Sequence, residues 1–219
     1  MLTLVTSNAA KYAPFARELA RLHLVLEPPK QALPEVQGPT FAEALRAKAH
    51  AAAAMFGRPV LVDDAGLVLE AYKPFPGPLT SVVLRSLGVG GLHRLLSSVS
   101  QRVAMECHIG CWVKGALRTW SGAVHGHLDF SRPPRHERMV LSDLFVPEEP
   151  VGSQVLLHRA RALAALEAEA FQLHLDAAPE PASEPATGGA PPLYVCEFCL
   201  EFSGSGADVF TQMMGERLK

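Results

Sequence analysis

The stretch VLVDDAGLVLEAYKPFPGPLTS, residues 60–81, sets two adjacent carboxylates, Asp63 and Asp64, into a run of apolar β-formers and follows them with a glycine. The run predicts a strand, RPVLVDD, that ends at the aspartates and presents both at a sheet edge. There they can hold a hard cation or take a proton from water. The bland alternative is a turn that closes an ordinary strand.

Outward from this stretch, the chain alternates strand and helix signals. The opening MLTLVTSNAAKYAPFARELARL reads as a short apolar strand, a polar loop and a helix with Tyr12, Phe15, Leu19 and Leu22 on one face. A proline-marked loop, EPPKQALPEVQGPT, leads to an alanine-rich helix from about Phe41 to Met55, closed by Gly57. After PFPGP, residues 79–99 read as a helix with a glycine break. RVAMECHIGCWV and LRTWSGAVHGHLDF then read as strands, and residues 153–175 as a helix on the spacing of Leu156, Leu163, Leu166 and Ala170. The order predicts an α/β fold with a mixed central sheet flanked by helices.

Three parts are expected: a main domain over residues 1–175, a Pro/Ala-rich linker over 176–192, and a strand-helix extension over 193–219. The linker segment cannot bury enough apolar surface to order itself, and the extension is too small to fold alone.

With 219 residues, 48% of them hydrophobic, the chain can bury a substantial core. No apolar run approaches the roughly 20 residues that a membrane helix needs, and no leader pattern opens the chain. A cytoplasmic location without membrane attachment is therefore expected. A formal net charge of −2 supplies no basic field for a nucleic-acid backbone, which argues against a nucleic-acid polymer as partner.

The four cysteines do not suggest a disulfide framework. Cys107 and Cys111 alternate with Val103, Met105, Ile109 and Val113 towards one face, as core thiols do. Cys196 and Cys199 fall on opposite faces of a strand pattern, whereas a closed zinc site needs four convergent ligands. His125, His127 and His136 show no ligand spacing.

The loop Thr6-Ser7-Asn8-Ala9-Ala10-Lys11 joins the first strand to the first helix. Free backbone N–H groups, small polar side chains and Lys11 suit a phosphate there, although an Asn or Ser cap beside a solvated lysine is the ordinary reading. Glu35, in LPEVQG, and Lys48, on the second helix, add to Lys11 and the aspartates the parts of a metal-assisted phosphoryl site. Carboxylates would take Mg²⁺, lysines would take phosphate oxygens, and one carboxylate would activate water. The later loop SGSGAD could also cradle a phosphate, but it lacks a P-loop lysine.

In this order and spacing, TSNAAK, LPEVQG, FAEALRAKA, VLVDDAGL and PFPGP resemble the non-canonical purine nucleoside triphosphate pyrophosphatase family, also called inosine triphosphate pyrophosphatases. The resemblance runs from about residue 2 to 170. It implies an elongated, two-lobed α/β fold with a nucleotide cleft between the lobes. It also implies a homodimer that uses Mg²⁺ to hydrolyse ITP, XTP and their deoxy forms to the monophosphate and pyrophosphate. Carried over, Thr6, Ser7, Asn8 and Lys11 would meet the triphosphate, while Glu35, Asp63 and Asp64 would hold the metal. Asp64 would activate water, and Lys48 would support the phosphates.

The base side departs from the family pattern. RMVLSDLFVP, residues 138–147, keeps Phe145 and Pro147 but places Leu141 and Ser142 where the family has a stacking aromatic and an aspartate. SQVLLHR, residues 153–159, keeps His158 and Arg159 as substrate contacts, with Ser153 and Leu157 replacing a lysine and a serine. Trp112 and Trp120 are candidates for a substitute aromatic. The rival to hydrolysis is a divergent member that binds a nucleotide or a partner without efficient turnover.

Overall fold

Capping chemistry sets the long helix that precedes the aspartates. Thr40 accepts a hydrogen bond from the backbone N–H of Glu43 (3.3 Å), and Thr40-x-x-Glu43 is the capping-box pattern that fixes a helix start. The helix α2, Phe41–Phe56, ends at Gly57, whose φ of 64° gives the left-handed stop that glycine tolerates best. Its buried residues Phe41, Leu45, Ala49 and Ala52 recur at helical spacing. A computed structural model describes residues 2–132, 141–149 and 157–176; the expected linker and C-terminal extension lie outside the described residues, apart from Asp176.

The strands are β1 (Leu2–Val5), β2 (Leu24–Glu27), β3 (Leu61–Leu69), β4 (Pro76–Gly77), β5 (Arg102–Val113), β6 (Ala116–Leu128) and β7 (Phe145–Pro147). The other helices are α1 (Ala16–Arg21), α3 (Thr80–Leu96), α4 (Leu141–Leu144) and α5 (Leu157–Asp176). The sheet runs β2-β1-β3-β5-β6-β7, with β4 against β3. The first three strands are parallel and the later pairings antiparallel, giving the expected mixed sheet. The long β5–β6 ribbon closes through Lys114-Gly115, both at positive φ, as a two-residue hairpin requires.

The sheet is covered on both faces. On one face, Phe15, Leu19, Leu22, Ile109, Leu163 and Leu166 form a buried cluster beneath α1 and α5. On the other, Leu45, Ala49 and Ala52 of α2 pack on Val5, Val60 and Val62. Cys107 and Cys111 are free, buried thiols, as their alternation predicts. A third cluster joins Leu67, Leu69 and Val103 to Leu92 and Leu96 of α3.

Two expectations change. The first helix starts late: Ala9–Lys11 and Ala13–Phe15 are 3-10 turns, the second opened by Pro14, and only Ala16–Arg21 is α-helical. Tyr12, Phe15, Leu19 and Leu22 are nonetheless all buried. The strand that carries the aspartates does not end at them. β3 continues to Leu69 because β5 pairs with it along its whole length, from Leu61↔Cys111 to Leu69↔Val103. The expected glycine break in α3 is present at Gly88, where the backbone leaves helical values.

Gly66 follows the aspartates for a steric reason. A Cβ there would collide with the carbonyl oxygen of Gly77 and lie 2.7 Å from Thr80 Oγ1. The Thr80 hydroxyl accepts from Leu67 N (2.8 Å) and donates to Gly77 O (2.6 Å), stitching the PFPGP loop onto β3.

Candidate active site

β1 pairs with β3 only at Leu4↔Leu61 and Val5↔Val62. The next β3 residue is Asp63, so the aspartates begin where β3 outruns its parallel neighbour. β1 lies between β2 and β3, and the connections leaving it and β2 pass over opposite faces of the sheet. Such a switch point opens a crevice outside the carboxyl ends of the strands, where α/β folds bind ligands. The loop 6–11 leaves β1 into this crevice.

Within the loop, Thr6 is buried and its hydroxyl accepts from Asn8 N (3.2 Å), so its part is to shape the turn. Ser7 is exposed, while Asn8 and Lys11 are half-buried. Asn8 makes no side-chain cap to the turn that follows it.

Successive residues of a strand point to opposite faces. Asp63 sits opposite Ile109, on the α5 side, and Asp64 opposite His108, on the α2 side. Asp63 is only 4% exposed. Burial alone would push its carboxyl up, but the charges of Lys11, Lys48 and Arg159, together with a hydrogen bond from Tyr12, hold it below the ordinary carboxylate range. Lys48 Nζ also donates to the main-chain oxygen of Asp63 (2.7 Å). Asp64 differs: desolvation pushes its carboxyl up to about 6, Lys48 offsets this in part and Asp63 adds to it. Its Oδ1 accepts from Ala65 N at 2.9 Å.

His158 and Arg159 enter from the first turn of α5, where they are 2% and 5% exposed and not the surface pair common on helices. Gly122 on β6 lets α5 come this close, since a Cβ there would collide with the His158 carbonyl and the Ala162 nitrogen. Arg159 Nη1 donates to His158 Nε2 (2.8 Å), which requires a neutral imidazole. Burial first, then the charges of Arg159 and Lys11, pushes the His158 pKa down to about 3, so the ring stays neutral at working pH. Arg159 Nε is buried without a hydrogen-bond partner among the described residues, leaving a donor for an incoming acceptor.

Lys11, Lys48, Asp63, Asp64, His158 and Arg159 are therefore brought together. Glu35 is half-buried in its loop, but among the described residues no three His, Cys, Asp or Glu side chains are grouped to hold a metal ion. Asp63 and Asp64 point to opposite faces of β3. Phe145 packs against Gly126 and, with Leu141, onto the cluster around Leu67 and Leu69. Of the two tryptophans, Trp120 lies in the cluster beneath α5, and Trp112 packs edge-on against His50. The side chain of Ser142 and all of Ser153 lie outside the described residues.

Sequence reasoning assigned Tyr12 to the core and missed its place in the site. Its ring is fully buried, its hydroxyl faces Cys107 Sγ at 4.0 Å and helps to keep Asp63 ionised, and the Arg159 guanidinium stands 6.0 Å from its ring centre. The available signal was its position after Lys11, since a buried tyrosine needs a partner for its hydroxyl. On the α2 side, a cavity of about 450 Å³ lined by Phe41, Leu45, Val68, Glu106 and His108 adjoins the register partner of Asp64.

Fold and site together define an α/β protein with a cation-lined pair of carboxylates at the open ends of parallel strands. The sequence matches the model of the Ham1 family over residues 2–169, and the chain belongs to that family. A dITP/XTP pyrophosphatase of Hyperthermus butylicus is 32% identical over 150 residues, covering 68% of this chain and 78% of that protein. One from Ignicoccus hospitalis is 32% identical over 171 residues, covering 72% and 90%. Among solved structures, a HAM1 protein from Coxiella burnetii superposes with a TM-score of 0.61 at 21% identity, over 78% of this chain and all of that one. The Ham1 protein of Staphylococcus aureus gives 0.58 at 20% identity, over 78% and 99%. The structural likenesses establish the mixed-sheet α/β fold. No helix among the described residues is long and apolar enough to cross a membrane.

Proposed function

We propose that this protein is a metal-dependent nucleoside triphosphate pyrophosphatase acting on non-canonical purine nucleotides such as dITP, ITP and XTP. The observation that carries the reading is the grouping of Lys11, Lys48 and Arg159 around an ionised Asp63, beside a half-buried Asp64 whose carboxyl holds its proton up to about 6. The names of the archaeal relatives supply the substrate class.

In this reading, the triphosphate enters the crevice at the end of β1. Ser7 and Asn8 meet its oxygens from the loop, and Lys11 and Lys48 offset the charge that spreads over them in the transition state. Arg159 and His158 serve the substrate from α5, and Phe145 stands on the base side. Asp64 takes a proton from a water molecule as its oxygen bonds to the α-phosphorus. The bond from that phosphorus to the bridging oxygen breaks, and pyrophosphate leaves with the electron pair. A pKa near 6 leaves Asp64 ionised at neutral pH, yet basic enough to accept a proton.

A half-buried carboxylate whose ionisation is disfavoured by desolvation is suited to a hard divalent cation, which would restore the missing positive charge. Asp64 would hold it, with Glu35 as the other candidate carboxylate and Mg²⁺ as the ion. When bound, such an ion neutralises phosphate charge and acidifies water. The same reading includes a homodimer and the cytoplasm, where nucleotide pools reside.

The test is pyrophosphate release across ITP, XTP, dITP and the standard nucleotides with Mg²⁺, beside an Asp64→Asn control. Release that depends on Asp64 supports the reading. No release from any nucleotide, with binding intact, would replace it with a non-catalytic nucleotide binder.

A further inference from the structure

Two neighbouring aspartates invite the assumption that both bind the same metal. Their surroundings argue otherwise. Asp63 is almost fully buried against the α5 side of the sheet, opposite Ile109. Asp64 is half-buried on the other side, opposite His108, which stacks on Phe41 at 4.1 Å. The groups that favour the charge on the Asp63 carboxylate are Lys11 from the loop, Lys48 from α2, Arg159 from α5 and the Tyr12 hydroxyl. These groups come from three separate points in the sequence, around residues 11–12, 48 and 159. A buried anion surrounded in this way fixes the positions of the cations that face it, above all Arg159, which is itself buried.

We propose that Asp63 is a positioning residue, an internal counter-ion that with Tyr12 holds Lys11 and Arg159 in place for the substrate's phosphates, and not a ligand to the metal. The part played by the phosphates rests on the pyrophosphatase reading; the division of labour between the two aspartates does not. Asp64 alone then presents its carboxylate to the ion.

The experiment uses the full chain and its Asp63→Asn, Asp63→Glu and Asp64→Asn variants. Mn²⁺ binding without nucleotide is followed by electron paramagnetic resonance. Asp63→Asn should leave the affinity unchanged, while Asp64→Asn should weaken it by at least about tenfold. Thermal unfolding is then followed in EDTA with and without inorganic pyrophosphate. Asp63→Asn should start at a lower Tm than the parent and gain more from pyrophosphate, because the added anion replaces the missing carboxylate among the cations. If Asp63→Asn fails to fold, Asp63→Glu keeps the charge and should bind Mn²⁺ like the parent. Weakened Mn²⁺ binding in either Asp63 variant, or a pyrophosphate gain no larger than the parent's, overturns the proposal. A parent that releases no pyrophosphate from any nucleotide would defeat the pyrophosphatase reading while leaving these binding and stability results intact.

Discussion

Replacing Asp64 with asparagine should stabilise the protein while abolishing its activity. The Asp64 carboxyl holds its proton up to about 6, against an ordinary 3.8. At about 1.4 kcal/mol for each tenfold change in proton affinity, ionising it in the folded chain costs about 3 kcal/mol. The folded state binds this proton more tightly than the unfolded state does. Stability from this group is therefore fully present below about pH 4 and is lost as pH rises through about 6. Asparagine has the same shape, can still accept from Ala65 N and has no charge to desolvate. At pH 8, Asp64→Asn should gain up to about 3 kcal/mol over the parent, a Tm rise of roughly 6–12 °C for a chain of this size. At pH 4 the two should unfold alike. Urea unfolding followed by circular dichroism at both pH values reads the difference, and saturating Mg²⁺ at pH 8 should close it by stabilising only the parent. Equal stability at pH 8, or a gain that persists unchanged at pH 4, would refute the reasoning.

Further perturbations probe other parts of the site. Gly122→Ala would drive a Cβ into the backbone of α5 at His158 and Ala162, so urea unfolding should show a loss of about 1–3 kcal/mol with lowered activity, since α5 carries Arg159. Lys48→Met removes the cation that bonds the Asp63 carbonyl and, in the proposed mechanism, the phosphates, and steady-state kinetics should show kcat falling by about a hundredfold. With metal limiting, kcat/KM should fall about tenfold per pH unit below about 6 as Asp64 is protonated, and saturating Mg²⁺ should move that limb to lower pH.

Periodicity carried most of the fold. The alternation of Cys107, Ile109 and Cys111 placed them in the core, and the alanine-rich run closed by Gly57 placed α2. The length of β3 was not legible, because what extends it past the aspartates is β5, whose pairing is non-local. The late start of α1 reflects Pro14 and the turns around it, where helical spacing of Tyr12 and Phe15 mimicked a regular helix. At the site, residue types and order grouped Lys11, Lys48 and the aspartates, and only the family resemblance added Arg159. That Asp63 and Asp64 face opposite sides was missed because the strand was expected to end at them; alternation separates the pair only once β3 runs on, and their different electrostatic settings come from groups distant in sequence. The role of Tyr12 was hidden for a related reason: an aromatic at helical spacing reads as core, and it is core, with one polar atom that is not.

The central claim is that Asp64 directs water to the α-phosphorus and expels pyrophosphate. Hydrolysis of dITP with Mg²⁺ in oxygen-labelled water, with both products analysed by mass spectrometry, tests it most directly. The account predicts label in the nucleoside monophosphate, none in the pyrophosphate, and no turnover by Asp64→Asn. Label in the pyrophosphate, release of orthophosphate as the primary product, or undiminished turnover by Asp64→Asn would contradict it.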